Sequence, residues 1–195
     1  WKDARWLAQA VDPRAGLIRL VQMTPEAYRA ASFLDDRMFE EPRNSHLLQW
    51  DEVASSVPAD ARRDARWIFH IGHVGSTLIA RLLGELDSVL SVREPRALRD
   101  LSFFPPDVRG RFVPTLQALF SKTFAPEQAS MLKATSFVSE IAAELVPADG
   151  AALYLYATPR SYISGILAGE NSVKELDALH NSRLERLQRR GIELN

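Results

Sequence analysis

The pattern of apolar and polar residues changes period within residues 67–86. The first five residues, Trp67–Ile71, are large and mostly apolar, which predicts a strand buried in a parallel sheet. From Ser76 onward the apolar residues recur with the spacing of one helix face. This predicted face consists of Leu78, Ile79, Leu82, Leu83 and Leu86. A strand, a glycine-bearing turn and a helix therefore follow one another here.

The turn has the composition of a phosphate loop. Gly72 and Gly75 allow the backbone to turn tightly and to approach an anion. The N–H groups at the start of the helix, together with the Ser76 and Thr77 hydroxyls, favour a negatively charged ligand. The alternative is that the glycines serve only the turn, as in many connections between a strand and a helix.

The loop departs from the nucleotide-triphosphatase pattern G-x-x-x-x-G-K-[ST]. His70 stands where that pattern has its first glycine, and Ser76 stands in the lysine position. Because the lysine that binds the β- and γ-phosphates is missing, the loop disfavours an ordinary ATPase or kinase.

Strand and helix patterns alternate through the centre of the chain. Further strands are predicted at residues 89–92, 131–134 and 151–156. Helical patterns follow them at residues 112–124, with Pro114 in the first turn, at 135–146 and at 158–167. This order predicts an α/β fold with a doubly wound parallel sheet and right-handed crossovers.

The sequence predicts one domain over residues 1–195. Residues 1–65 form an α+β lead-in with a strand at 17–23, a helix from Thr24 to about Leu34, and then loops and short helices without a catalytic motif. Residues 66–168 form the α/β core. Two S-x-x-E capping boxes, which begin at Ser172 and Ser182, predict two helices within residues 169–195.

Composition narrows the choice of partners and compartment. The net charge is −1, and the arginines stand beside carboxylates, which argues against a nucleic-acid partner. No apolar run approaches bilayer length, so no membrane partner is expected. The chain has no cysteine, which removes disulfides and thiolate nucleophiles and fits a reducing, cytoplasmic environment.

Charged residues lie at the ends of two of the predicted strands. Arg93–Arg96 comes directly after the second strand, and Lys133 lies near the end of the third. Such residues lie at the carboxyl edge of the sheet, where open α/β folds bind their ligands. The alternatives are that Glu94 is a surface acid paired with Arg93 or Arg96, and that Lys133 only extends its ammonium group to solvent.

At these residues the chain resembles the sulfotransferase family. His73–Thr77 is similar to the loop that binds the 5'-phosphosulfate, with His73 in the basic position. The resemblance continues through residues 93–96, 133–135 and 159–161, and it covers about residues 66–168. It implies a P-loop fold, similar to that of the nucleotide triphosphatases, and 3'-phosphoadenosine 5'-phosphosulfate (PAPS) as donor. The implied acceptor is a hydroxyl or amine of a small molecule or peptide.

The motif spacing is most similar to that of the tyrosylprotein branch, and this implies a role for each residue. Glu94 matches the general base and Arg96 the arginine of the same triplet, while Lys133 matches a lysine that assists the transferring group. His73, as imidazolium, stabilises the leaving oxygen together with Lys133. The residues implied to bind the donor are Gly72, His73, Val74, Gly75, Ser76, Thr77, Arg96, Arg160 and Ser164.

Two positions depart from the family's 3'-phosphate motif, which combines Arg-x-Pro with a later serine. Ala157 occupies the arginine position and Gly165 the serine position. Arg160 and Ser164 lie next to these positions and are expected to replace them.

Other functions remain open at this point. The spacing His70-x-x-His73 suits zinc, but zinc needs a third protein ligand and no companion cluster is evident, so no metal is expected. One alternative is a divergent P-loop protein that uses ATP with Mg²⁺ for nucleotide binding or phosphotransfer. Another is a domain that binds a nucleotide without catalysis.

Overall fold

A computed structural model describes residues 3–40, 42–178, 180–189 and 191–192. The chain divides into two compact units, residues 1–156 and residues 157–195. The first unit contains two sheets, and the second contains helices.

The first sheet is antiparallel and lies in the lead-in. Its strands are β1 (Trp6–Asp12), β2 (Leu17–Gln22) and β3 (Ser45–Gln49), in the spatial order β1-β2-β3. Its helices are α1 (Pro25–Ala30), a 3-10 helix (Asp36–Glu40) and α2 (Trp50–Ser56). Of these elements, the sequence predicted β2, short helices after residue 34, and the start of α1, where the Thr24 hydroxyl accepts a hydrogen bond from the Ala27 N–H at 3.1 Å.

Helix α1 is shorter than predicted because a buried arginine binds its C-terminal end. The Arg93 guanidinium donates hydrogen bonds to the carbonyl oxygens of Tyr28, Arg29 and Ala31. Arg93 is only 1% exposed. The chain leaves α1 in extended conformation at Ala31, and the Leu34 N–H then donates to the Arg93 carbonyl at 2.8 Å. The segment after α1 thus runs along the end of the strand that contains Arg93.

The second sheet is parallel, as the sequence predicted. Its strands are β4 (Arg66–His70), β5 (Val89–Arg93), β6 (Ala129–Lys133) and β7 (Ala152–Leu155), in the spatial order β5-β6-β4-β7. The first strand in sequence, β4, lies between β6 and β7, which come later in the chain. The carboxyl ends of β4, β5 and β6 therefore meet at one edge.

Helices cover both faces of this sheet. They are α3 (Ser76–Leu83), α4 (Arg96–Ser102), α5 (Pro106–Phe120), a 3-10 helix (Ser136–Ile141) and α6 (Ala142–Leu145). Trp67 and Phe69 of β4 belong to the main hydrophobic core together with residues of α4 and α5. The intervening Ile68 packs instead with Ala80 and its neighbours on α3. The alternation along β4 shows that this strand is buried on both faces of the sheet.

Two predicted details are wrong. Helix α5 begins at Pro106, where a proline suits the first turn, so Pro114 lies inside the helix rather than at its start. On α3, Ile79, Ala80 and Leu83 pack against the sheet. The other predicted core leucines, Leu78, Leu82 and Leu86, are more than half exposed.

The second unit consists of three helices. They are α7 (Pro159–Leu167), α8 (Glu170–Ala178) and α9 (His180–Arg189). The Thr158 hydroxyl caps α7 by accepting a hydrogen bond from the Ser161 N–H at 3.3 Å. Two C-terminal helices are confirmed, but Ser172 and Ser182 lie inside them and not at their N-caps. In the described part of the chain, no helix combines the length and the apolar character needed to cross a membrane.

Candidate active site

The loop between β4 and α3 turns at its two glycines. Gly72 has a φ of 91° and Gly75 a φ of 77°, in the left-handed region that glycine adopts easily. Gly75 is the N-cap of α3 and has no side chain to accept hydrogen bonds from the first turn. A ligand can therefore approach this turn without meeting a capping side chain.

The first turn of α3 contains backbone N–H groups that can donate hydrogen bonds to a ligand. Among the described residues, none accepts a hydrogen bond from the backbone N–H groups of residues 74–77. The Ser76 side chain is buried and Thr77 is half-buried in the same turn. Adjacent N–H groups at a helix start, together with two hydroxyls, form an arrangement that binds phosphate and sulfate esters in proteins.

Two residues other than glycine have a left-handed backbone in the described part of the chain. They are His73, with a φ of 52°, and Glu94, with a φ of 53°. This conformation costs an ordinary residue about 1–2 kcal/mol, and such strain concentrates at functional sites. His73 and Glu94 are also the residues to which the family resemblance assigned the basic loop position and the general base.

Glu94 lies where β5 leaves the sheet, beside the end of β6. Its N–H donates to the Lys133 carbonyl at 2.7 Å, and the register pairs Arg93 with Lys133. The Lys133 ammonium donates a hydrogen bond to Glu94 Oε1. Lys133 is 1% exposed and Glu94 is 7% exposed. The structure thus brings together the two residues that the sequence assigned to proton transfer and to the transferring group.

Burial lowers the pKa of the Lys133 ammonium group, and the neighbouring Glu94 carboxylate acts in the opposite direction. Breaking such a pair leaves one uncompensated buried charge, which is strongly unfavourable. The two side chains therefore depend on each other for their placement.

Arg37 is a site residue that the sequence did not predict. Its Nη2 atom lies 3.5 Å from Glu94 Oε2, the oxygen that Lys133 does not bind. The guanidinium stacks on the Phe33 ring, 3.5 Å from the ring centroid, and forms an ion pair with Asp35 at 2.7 Å. Lys133 Nζ lies 5.8 Å from the centroid of the same ring. The segment Phe33–Arg37 therefore forms one wall of the site.

The two arginines next to Glu94 bind other partners. Arg93 binds the end of α1, as described above. Arg96, implied by the resemblance to bind the donor, forms ion pairs with Asp36 at 2.7 Å and with Asp100 at 3.1 Å. The pair with Asp36 ties the 3-10 helix that contains Arg37 to the start of α4. The alternative pairing of Glu94 with Arg93 or Arg96 is not found among the described residues.

The remaining predicted residues lie elsewhere. His73 is exposed in the loop. Arg160 and Ser164 are exposed on α7, in the second unit, and their role in binding the donor stays a prediction. In the described ranges, no group of three or more His, Cys, Asp or Glu side chains could hold a metal ion.

The arrangement can bind an anion beside a carboxylate that is able to accept a proton. His70 connects the two parts, because its ring contacts the loop at Gly72 and lies 3.9 Å from Glu94 Oε1. Comparisons of the chain with models of known protein families, with curated protein sequences and with solved structures found no match.

Proposed function

We propose that this protein is a sulfotransferase-like enzyme with a P-loop fold. It transfers a sulfuryl group from PAPS to a hydroxyl or amine of a small molecule or peptide, without a metal. The observation that carries the proposal is the placement of Glu94, strained at φ 53° and paired with buried Lys133, beside the first turn of α3. None of the described residues accepts a hydrogen bond from the backbone N–H groups of residues 74–77 in that turn. The cysteine-free sequence supports a cytoplasmic site of action.

The loop chemistry favours a phosphosulfate over a triphosphate. The N–H groups of the α3 first turn and the Ser76 and Thr77 hydroxyls suit the 5'-phosphate. Ser76 replaces the lysine that would bind the β- and γ-phosphates of ATP.

Glu94 acts as the general base in this proposal. As the acceptor oxygen or nitrogen forms its bond to sulfur, Glu94 takes the acceptor's proton, and the bond between sulfur and the phosphate oxygen breaks. Glu94 Oε2 is the oxygen suited to this step, because Lys133 donates to Oε1, whereas the Arg37 guanidinium makes only a longer contact with Oε2, at 3.5 Å. The products are the sulfated acceptor and adenosine 3',5'-bisphosphate.

Lys133 and His73 stabilise the leaving group. Sulfuryl transfer, like phosphoryl transfer, requires mainly alignment of the two oxygens and neutralisation of the charge that develops on the leaving phosphate. Lys133 supplies a buried ammonium group at the carboxyl edge of the sheet, and His73, exposed in the loop, supplies a ring N–H donor. Loop residues Gly72 to Thr77 hold the nucleotide.

Transfer of sulfur-35 from labelled PAPS tests the proposal. Wild type, Glu94→Gln and the control Glu52→Gln, a change at an exposed glutamate of α2, are incubated with mixtures of small hydroxyl compounds, amines and peptides. We expect Glu94→Gln to lower the transfer rate by about 100-fold or more, the size of a general-base contribution. The control should keep wild-type activity. Equal transfer by Glu94→Gln and wild type would remove Glu94 from the mechanism, and donor binding without any transfer would indicate a non-catalytic nucleotide-binding domain.

A further inference from the structure

The imidazole of His70 makes a hydrogen bond with each of its nitrogens. Nδ1 lies 3.0 Å from the Gly72 backbone nitrogen, and Nε2 lies 2.8 Å from the Ala134 carbonyl oxygen. His70 itself is 5% exposed. The ring therefore joins the phosphate loop to the residue that follows Lys133.

These two partners determine where the proton of the ring lies. The Gly72 N–H can only donate, so Nδ1 must accept and carries no proton. The Ala134 carbonyl can only accept, so Nε2 must carry the proton and donate it. Both hydrogen bonds are satisfied by one form of the ring, the neutral tautomer with the proton on Nε2.

The surroundings disfavour a second proton on His70. Burial lowers its pKa to about 4, and the positive charges of Lys133 and His73 act in the same direction. Glu94, 3.9 Å away, is the acid that faces the ring, and its Oε1 is already bound by Lys133. A proton on Nδ1 would also break the bond to Gly72.

We infer that His70 is a positioning residue. Its neutral imidazole fixes the position of the Gly72–Gly75 loop relative to the Lys133–Glu94 pair. One bond holds the loop at Gly72, next to the left-handed His73, and the other holds the exit of β6 at Ala134. The anion site and the base are placed relative to each other through this ring. The inference rests on the proposed function for the anion at the loop and for Glu94 as the base, but not for the two hydrogen bonds of the ring.

Two substitutions of His70 each remove one of its two hydrogen bonds and keep the other. In His70→Asn the amide oxygen lies near the position of Nδ1 and can accept from Gly72, but nothing reaches Ala134. In His70→Gln the amide nitrogen reaches the position of Nε2 and can donate to Ala134, but Gly72 loses its acceptor. His46→Asn, at an exposed histidine of β3, is the matched control.

The first readout is NMR spectroscopy of the ring and of the loop. In the ¹⁵N spectrum of wild type at pH 7, the His70 Nε2 should have the shift of a protonated nitrogen and Nδ1 that of an unprotonated one. The Gly72 amide should stay protected from hydrogen exchange in His70→Asn and exchange at least tenfold faster in His70→Gln. The opposite tautomer, or equal Gly72 exchange in both variants, would overturn the inference whether or not the protein binds a nucleotide.

The second readout is calorimetric affinity for inorganic phosphate and for adenosine 3',5'-bisphosphate. We expect His70→Gln to weaken both ligands at least tenfold, and His70→Asn and His46→Asn to remain within about threefold of wild type. Equal affinity in His70→Gln and wild type would overturn the inference. If wild type binds neither ligand, the proposed function fails, and the NMR readout alone decides the role of His70.

Discussion

Lys133 donates a hydrogen bond to Glu94 at the ends of two adjacent parallel strands, where 1% of the lysine and 7% of the glutamate are exposed. The residues are 39 positions apart in the chain and meet because β5 and β6 end at the same edge of the sheet. The strained backbone of Glu94 and its pairing with a buried cation make this carboxylate the centre of the candidate site.

The losses in the free energy of unfolding on substituting Lys133 and Glu94 should be strongly non-additive in a double-mutant cycle. Lys133→Met leaves the Glu94 carboxylate buried without its partner, and Glu94→Gln leaves the Lys133 ammonium buried without its partner. Each single change should lower the free energy of unfolding by about 3 kcal/mol, whereas the double variant should lose much less than the sum. Urea unfolding followed by tryptophan fluorescence measures all four proteins. Additive losses would show that the two side chains do not depend on each other.

Stability should fall in acid because His70 is buried in its neutral form. Its pKa is lowered from 6.5 to about 4 in the folded protein, so between these values the unfolded chain binds the extra proton. The neutral His70 contributes about 3 kcal/mol to the free energy of unfolding. This contribution is complete above pH 6.5 and is lost as the pH falls towards 4.

Urea unfolding of wild type and of His70→Asn at pH 7 and at pH 4.5 measures this effect. The wild type should lose more stability between the two pH values than the variant, because titration of all other groups is common to both. An identical loss in the two proteins would contradict a neutral, buried His70.

Arg37 should affect transfer and not donor binding. Arg37→Ala removes the guanidinium beside Glu94 Oε2, which leaves the base less well oriented. We expect the transfer rate to fall roughly tenfold, equivalent to about 1.4 kcal/mol, while the affinity for adenosine 3',5'-bisphosphate stays at the wild-type value. Arg37→Lys should recover part of the rate.

Arg5→Ala is the matched control for Arg37, since Arg5 also pairs with an aspartate two residues away, at Asp3. It should leave both transfer and binding unchanged. A loss of nucleotide affinity in Arg37→Ala, with no change in rate, would place Arg37 in the donor site instead.

Arg160 should recognise the 3'-phosphate of the donor. Its planar guanidinium suits a phosphate, so Arg160→Ala should weaken adenosine 3',5'-bisphosphate by roughly 1.5–3 kcal/mol and leave AMP almost unchanged. Calorimetric titration of both ligands, with Lys174→Ala on the exposed side of α8 as control, measures the difference. An equal loss for both nucleotides would show that Arg160 does not bind this phosphate.

The parallel sheet could be predicted because its strands are apolar runs of the right length between glycine, proline and charged residues. In contrast, the antiparallel sheet of the lead-in could be predicted only at β2. Strand β3 has no buried residues, so it lacks the alternation that marks a half-buried strand. The exposed leucines of α3 show a related limit, because periodicity reveals an apolar stripe and not how much of it the neighbouring elements cover.

Glu94 and Lys133 could be placed at the same sheet edge from their positions at the ends of strands. Their pairing could not be predicted, because it depends on β5 and β6 being adjacent in space. Arg37 could not be predicted as a site residue for a similar reason. It precedes β4 by nearly thirty residues of the chain, and it lies beside Glu94 only because Arg93 fixes the path of the chain after α1. Its sequence neighbours, Asp35 and Asp36, gave the pattern of a solvated charged segment.

Calorimetric titration of the wild-type protein with adenosine 3',5'-bisphosphate, AMP and ATP with Mg²⁺ tests the central claim most directly. The loop without a lysine, beside the Lys133–Glu94 pair, predicts that adenosine 3',5'-bisphosphate binds at least tenfold more tightly than ATP with Mg²⁺ and more tightly than AMP. Ser76→Glu, which places a carboxylate at the start of α3, should abolish this binding, because that carboxylate repels the 5'-phosphate. Equal or tighter binding of ATP with Mg²⁺ would contradict the proposed donor and indicate a nucleotide-binding or phosphotransfer protein.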